Sequence, residues 1–389
     1  MESYQNRVDE AVLSQDWNSL SSIFSHGGNL PLGQGEQRAL CGHFIKRAVT
    51  NDGFLPGAFD APGMMNIFSI CLSNLPTVVE NAADSTLRQQ LFDHLVNQKD
   101  DYSGAARILG AIRMETETNS VYYKEPAEMC DVYVKIAECF LEEDETVEAD
   151  SAVTKAGTVV EQITEPDQHM ALILRYKSTY ARVLDANRKF LQAASRYHDL
   201  SCSSASLIDA DDLLQLLGRA ATCAILASSS SQKQRVLGAL AKDERLPKLS
   251  SLPSFRNHAM LVKKLYNCQV VSPNDLEHLS LATHQQAIRG DGLTILQRAI
   301  VEHNMIAVSR LYRSIYLKEL QDKFLGGVPA EKIAATMIMD GSLQGEIDQV
   351  DGVLYFGKKK EEDIWNKGIT SFCLELNQAS DAIKVATIE

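Results

Sequence analysis

Paired cysteines are missing from this 389-residue chain: its eight cysteines, at 41, 71, 130, 139, 202, 223, 268 and 373, include no C-x-x-C pair. Most lie in apolar stretches such as Cys223–Leu226, so they read as buried free thiols of a reducing compartment rather than disulfides or zinc ligands. Long hydrophobic runs are missing too. The longest, Met64–Leu75, is broken by Asn66 and Ser69 and is too short to span a bilayer. The opening residues, MESYQNRVDEAV, carry acidic side chains and no apolar centre, which excludes a signal peptide. A soluble, intracellular protein with no membrane partner is expected. Positive charge is also short, with 38 Lys and Arg against 51 Asp and Glu and a net charge of -13. Such a chain repels phosphate backbones, which argues against nucleic acid as a partner.

Catalytic signatures are equally scarce. No G-x-x-x-x-G-K-[ST] loop is present, and Gly33-Gln34-Gly35 sits in a polar stretch rather than after a strand. Nine histidines include no H-E-x-x-H and no H-x-H. His278 and His284 are six apart, poor spacing for one helical face, and His303 between Glu302 and Asn304 reads as a surface or dipole contact. The acidic run Glu142–Glu145 reads as a solvated turn rather than a cation site. No G-x-S-x-G occurs. No catalytic residue, cofactor or metal is therefore expected, and the chain is not expected to be an enzyme.

What is there is helical. Hydrophobic residues make up 45% and charged residues 23%, a globular composition with room for two or three domains. Leu213, Leu216, Leu217, Ala220, Ala221, Ala224 and Ala227 fall on one helical face, and Ala149, Ala152, Ala156, Val159, Val160 and Ile163 on another. Pro166, Pro247, Pro253 and Pro273 punctuate such segments. The middle of the chain repeats: Tyr133 and Tyr176, Leu141 and Leu184, and Val147 and Phe190 are each 43 apart. Polar turns recur at Lys99–Asp101, Glu142–Asp144 and Asp185–Asn187, followed by small residues at Ala106, Ala149 and Ala193. A fourth copy places a helix ending at Ala227, a turn at Ser228–Ser231 and a helix through Leu240. Two helices per unit at a period in the forties predict an α-solenoid.

The pattern changes near Gly292. A helix from Leu293 through Leu311 leads into Arg313–Tyr316. Short helices follow at Leu317–Leu325 and Pro329–Asp340, split by Gly326-Gly327 and closed by Gly341. Two β-type runs, around Ile347 and over Val353–Phe356, flank an Asp351-Gly352 turn. Helix, helix and hairpin predict a winged helix. Its second helix, PAEKIAATMIMD, holds one Lys and two acidic residues, and Lys358–Lys360 add too little charge to bind DNA or RNA, so a protein-binding winged helix is expected. Exposed strand edges at Ile347 and at Val353, Leu354, Tyr355 and Phe356 suit strand addition by neighbours. On the final helix Trp365, Ile369, Phe372, Leu376, Ala379 and Ile383 step by 4, 3, 4, 3 and 4, a seam that needs a partner helix.

A helical repeat feeding a winged helix resembles the PCI-domain family, whose members occur in the proteasome lid, the COP9 signalosome and a translation initiation factor. The stretches Tyr180–Ser201, Cys223–Arg245, Ile295–Tyr312 and Gly345–Phe356 are similar to the COP9 signalosome members of the subunit 4 type, and Phe140–Gly157 fits the same pattern. The resemblance runs from about Tyr102 to the C-terminus. It implies a mainly α fold: a helical-repeat arm (1–185), the helical part of a PCI domain (186–300), a winged helix with a small β-sheet (301–358) and a C-terminal bundling helix (359–389). It also implies a non-catalytic scaffold in the complex that removes NEDD8 from cullin-RING ligases. Expected partners are other signalosome subunits, of PCI and MPN types, and the ligase, in cytoplasm and nucleus. A proteasome-lid scaffold and a winged-helix nucleic-acid adaptor are the alternatives.

Overall fold

The computed structural model describes residues 2–25, 33–50, 53–54, 63–75, 80–203, 208–276, 279, 281–288, 290, 292–357 and 361–386. It divides into two compact units, Met1–Arg188 and Lys189–Glu389. The first contains α1 (Glu2–Leu13), α2 (Trp17–Ser25), α3 (Gln34–Ala48), the small hairpin β1 (Val49–Thr50) and β2 (Gly53–Phe54), and α4 (Met64–Asn74). Then come α5 (Asn81–His94), running into a π turn at Leu95–Lys99, α6 (Tyr102–Gly110), α7 (Pro126–Glu142), α8 (Thr146–Val160) and α9 (Met170–Ala186). The second contains α10 (Phe190–Ser201), α11 (Ala210–Leu226), α12 (Ser231–Lys242), α13 (His258–Tyr266) and α14 (Ile295–Leu311). It closes with β3 (Ser314–Tyr316), α15 (Leu317–Phe324), α16 (Ala330–Met339), β4 (Gly345–Asp348), β5 (Val353–Phe356) and α17 (Glu361–Ala386). Among the described residues no helix is long and apolar enough to cross a membrane.

The repeat is present, in a register one residue longer than sequence spacing suggests. Asp100, Asp144 and Arg188 each take a left-handed conformation, with φ of 51°, 57° and 59°, and stand 44 residues apart. Each turns the chain from one helix into the next. After Asp144, the Glu145 amide donates to Phe140 O at 2.9 Å, which satisfies a carbonyl that the helix end would otherwise leave free. Gln15 and Cys268 make the same turn elsewhere. Five residues beyond each of the three turns lies a fully buried alanine: Ala105, Ala149 and Ala193. Ala105 therefore replaces Ala106 in the series. Val147 is 74% exposed while Phe190 is buried, so that pair does not correspond. The turn residue sets the register, because side chains near a helix start are only loosely constrained to one face.

Buried alanines let helices approach closely. In the first unit Ala149, Ala152, Val153, Ala156 and Val159 bury one face of α8, against which α7 packs. Asp101 caps α6 by accepting from the Gly104 amide at 2.8 Å. A separate cluster joins α1 to α5 around Phe24 and Phe44, whose rings lie 5.5 Å apart. In the second unit α11 buries Leu217, Ala220, Ala221 and Ala224, and α12 follows the Ser-rich turn, capped by Ser230.

α14 departs from amphipathic form. Glu302, His303 and Asn304 are consecutive and all buried. Asn304 clasps an extended segment: it accepts from the Val271 amide and donates to Val271 O, each at 2.9 Å, and donates to Phe324 O at 2.9 Å. His303 Nε2 meets Gln269 O at 2.9 Å, so it is an interior group and not the surface contact its sequence neighbours suggest. Glu302 pairs with Arg298 at 2.7 Å. The Asn304 and His303 bonds tie the segment after α13 to the winged helix.

Candidate assembly surfaces

The winged helix is built on α14, α15, α16 and a three-stranded antiparallel sheet ordered β3-β5-β4. Strand alternation turns Ile315, Leu354 and Ile347 toward the core formed with Met305, Leu320, Ile333 and Met337. Ser314–Tyr316, a mere connection by sequence pattern, is a third strand, and it changes the reading of the edges. β5 pairs on both sides, so Val353, Leu354, Tyr355 and Phe356 form the middle of the sheet and offer no free edge. Val353 and Leu354 are buried, Phe356 is half-buried, and Tyr355 stands exposed on the outer face. The outer edges are β4, which carries Ile347, and β3. Among the described residues each has one row of backbone donors and acceptors without a sheet partner, the geometry that strand addition uses.

The terminal helix α17 is 26 residues long. Trp365, Ile369, Phe372 and Leu376 are 72%, 53%, 62% and 53% exposed, and Ala379 is exposed as well. Ile383 lies on the same helix, its side chain outside the described residues. Trp365, Ile369 and Phe372 line a shallow groove over Gly368, where no side chain fills the helix surface. Full burial of each such side chain gives about 1.5–3 kcal/mol, so leaving the row in water forgoes several kcal/mol.

The face that would enter a nucleic-acid groove is weak. α16 carries Lys332 and Glu331, and Glu331 Oε1 accepts from Gln349 Nε2 at 2.6 Å. Lys358–Lys360 lie outside the described residues.

In the first unit, α7 and α9 are joined by charges: Arg175 bonds Glu138 and lies 3.2 Å from Asp131, and Arg182 reaches Glu142 at 2.8 Å. Ser103 and Arg107 of α6 meet Glu145. The acidic turn Glu142–Glu145 thus serves the helix junctions. An open cleft of about 580 Å³ lies over α7 and α8, with Met114, Met129, Tyr133 and Val159 among its lining and Glu115, Glu117 and Lys155 among its polar groups.

The buried titratable groups have structural tasks. Lys233 donates to Ile225 O and Ala227 O at 3.2 and 2.6 Å, closing the C-terminus of α11; burial pulls it down to about 8 against the opposing charge of Glu302. His258 meets Thr222 Oγ1 at 2.9 Å, and burial pulls it down to about 4. His303 falls to about 4 for the same reason, with the charges of Lys233 and Arg310 adding to it. Sequence reasoning passes over Lys233 and His258 and puts His303 at the surface, because a buried polar residue on a helix is indistinguishable from a solvated one until its neighbours are known. Of the cysteines, Cys41, Cys71, Cys130, Cys139 and Cys223 are buried as expected, whereas Cys268 is half-buried and Cys202 and Cys373 are exposed.

Comparison with known proteins covers both units. Residues 274–358 match the PCI domain, and residues 77–211 match the family described as PSMD12/CSN4, N-terminal. The chain is 33% identical over 301 residues to COP9 signalosome complex subunit 4 of Drosophila melanogaster, covering 75% of this chain and 70% of that protein. It is 33% identical over 317 residues to the protein of that name from Arabidopsis thaliana, covering 79% and 76%. The Dictyostelium discoideum protein of that name is 30% identical over 293 residues, covering 74% and 70%.

Proposed function

The chain belongs to the COP9 signalosome subunit 4 family, and from that premise we propose that it is a non-catalytic scaffold subunit of the assembly that removes NEDD8 from cullin-RING ligases. The observation that carries this reading is the exposed apolar row on α17. A helix of this length with Trp365, Ile369, Phe372 and Leu376 in water wants a helical partner, and a bundle formed with other subunits supplies one. Ile347 on β4, together with β3, gives the winged helix two edges on which neighbouring winged helices add strands. Tyr355 and the seam residues Ala379 and Ile383 complete the contact surfaces.

The first unit acts as the arm that touches the ligase and helps to activate the catalytic subunits held elsewhere in the complex. Its repeat architecture favours that role, since stacked helix pairs present extended surfaces to other proteins. Partners are PCI- and MPN-type subunits and the cullin-RING ligase, in cytoplasm and nucleus, with neither nucleic acid nor membrane involved. The names of the relatives favour the signalosome over the proteasome lid.

The test is affinity purification of the endogenous protein, followed by incubation with a NEDD8-modified cullin. The reading expects a multi-subunit complex with deneddylase activity, while the isolated chain is inert. Recovery of the proteasome without that activity, or activity in the isolated chain, would overturn it.

A further inference from the structure

Two helix ends meet in the second unit at a group of donors that the assembly role leaves unused. His198 and Cys202 are four apart at the end of α10, which puts them on one helical face, and Cys202 is that helix's C-cap. Asp243 is the C-cap of α12. The ligating atoms of these three residues all lie within 4.8 Å of one another, with His198 Nε2 3.8 Å from Asp243 Oδ2. Two helix C-termini converge here, and both dipoles favour a positive charge.

That charge is supplied at present by Arg245. Its Nη2 donates to Asp243 Oδ2 at 2.6 Å and contacts Cys202 Sγ at 3.6 Å, while Nε donates to Asp243 Oδ1 at 3.0 Å. Nη1 bonds Ser201 O. Burial alone would raise the Asp243 carboxyl, but the hydrogen bonds and charge of Arg245 bring it below its ordinary value, so it stands ready as an anion.

We propose that His198, Cys202 and Asp243 form a binding site for a borderline-soft divalent cation of the zinc class, which takes the place of the Arg245 Nη2 group. One imidazole, one thiolate and one carboxylate are a zinc-type donor set with a fourth position open to water; Mg²⁺ and Ca²⁺ require oxygen donors throughout. At zinc–ligand distances of about 2.0–2.3 Å, tetrahedral donors stand roughly 3.4–3.7 Å apart, so the His198–Asp243 separation is already close. Cys202 is exposed at a helix end and closes the remaining distance by side-chain rotation. Nε and Nη2 form one rigid fork on the two Asp243 oxygens, so the whole Arg245 guanidinium swings off the carboxylate when the cation enters. Binding releases the Cys202 thiol proton to solvent.

The experiment is a titration of the full chain with Co²⁺ as a spectroscopic stand-in, followed by competition with Zn²⁺. The wild type shows the thiolate-to-cobalt charge-transfer band with tetrahedral ligand-field bands, and Zn²⁺ removes both. Cys202→Ser abolishes the charge-transfer band and weakens binding at least about tenfold; His198→Asn weakens binding to a similar extent while the band persists at saturating Co²⁺. Arg245→Gln strengthens binding about tenfold by removing the competing cation. Absence of the band in the wild type, or its survival in Cys202→Ser, would overturn the site; unchanged affinity in a folded Arg245→Gln chain would overturn the exchange. Cys202→Ser alters one exposed side chain, so it keeps the test interpretable if Arg245→Gln fails to fold.

Discussion

Replacing Asn304 by alanine tests whether the winged helix is held to the helical part of its unit by one buried amide. The side chain is 2% exposed and makes three hydrogen bonds, two with the Val271 backbone and one with Phe324 O, all at 2.9 Å. Alanine leaves one amide and two carbonyls without these partners in the interior, at about 1–3 kcal/mol for each group left unsatisfied. Partial relaxation and the second lone pair of each carbonyl bring the expected total to about 4 kcal/mol. Native-state hydrogen exchange reads this at the Val271 amide, whose protection should fall roughly a thousandfold, with the α14 amides following. Asn304→Asp keeps the acceptor for Val271 but turns an oxygen toward two carbonyls, so it should be at least as damaging. Val271 protection within tenfold of wild type in Asn304→Ala would refute the reasoning.

Acid should loosen the second unit before carboxylates titrate. His258 and His303 sit near 4 in the folded chain against an ordinary 6.5, so from pH 6.5 down to 4 the unfolded state takes up protons that the folded state refuses. Stability is then lost as pH falls, by about 3 kcal/mol for each histidine, and unfolding midpoints of His258→Gln should show a shallower pH slope. Lys233 has the same sign at alkaline pH: held near 8 against 10.5, it costs most below pH 8 and is relieved between 8 and 10.5. Lys233→Met removes that charge but orphans Ile225 O and Ala227 O, so it should flatten the alkaline slope while still destabilising the unit by about 1–3 kcal/mol in denaturant titration. Phe372→Asp should leave the isolated chain's fold unchanged, because the side chain is exposed there, yet weaken assembly by several kcal/mol in a salt titration of the complex.

Much of this architecture is legible in the sequence, because helical periodicity over long segments survives local noise. The faces of α8 and α11, the two short helices before the hairpin and the row from Trp365 to Leu376 all stand where periodicity puts them. The sheet order is not legible. Ser314–Tyr316 is too short to announce a strand, yet its pairing moves Val353–Phe356 from an edge to the centre. Repeat register fails for a related reason: residues such as Asp100, Asp144 and Arg188 set it through backbone conformation, which no side-chain pattern announces. The buried row Glu302, His303 and Asn304 is hidden too, since polar residues on a helix read as solvated unless the elements packed around them are known. The cation site joins the helical pair His198 and Cys202 to Asp243, more than forty positions on, and two donors four apart do not announce a site without the third.

The central claim, that α17 is how this chain enters a larger assembly, is tested most directly by quantitative co-purification of the full chain and of a chain ending at Lys360. The account predicts that the shortened chain loses only the helical signal of α17 and keeps its thermal unfolding, but recovers its partner subunits in strongly reduced yield. Recovery of the full set at the yield of the intact chain would contradict it.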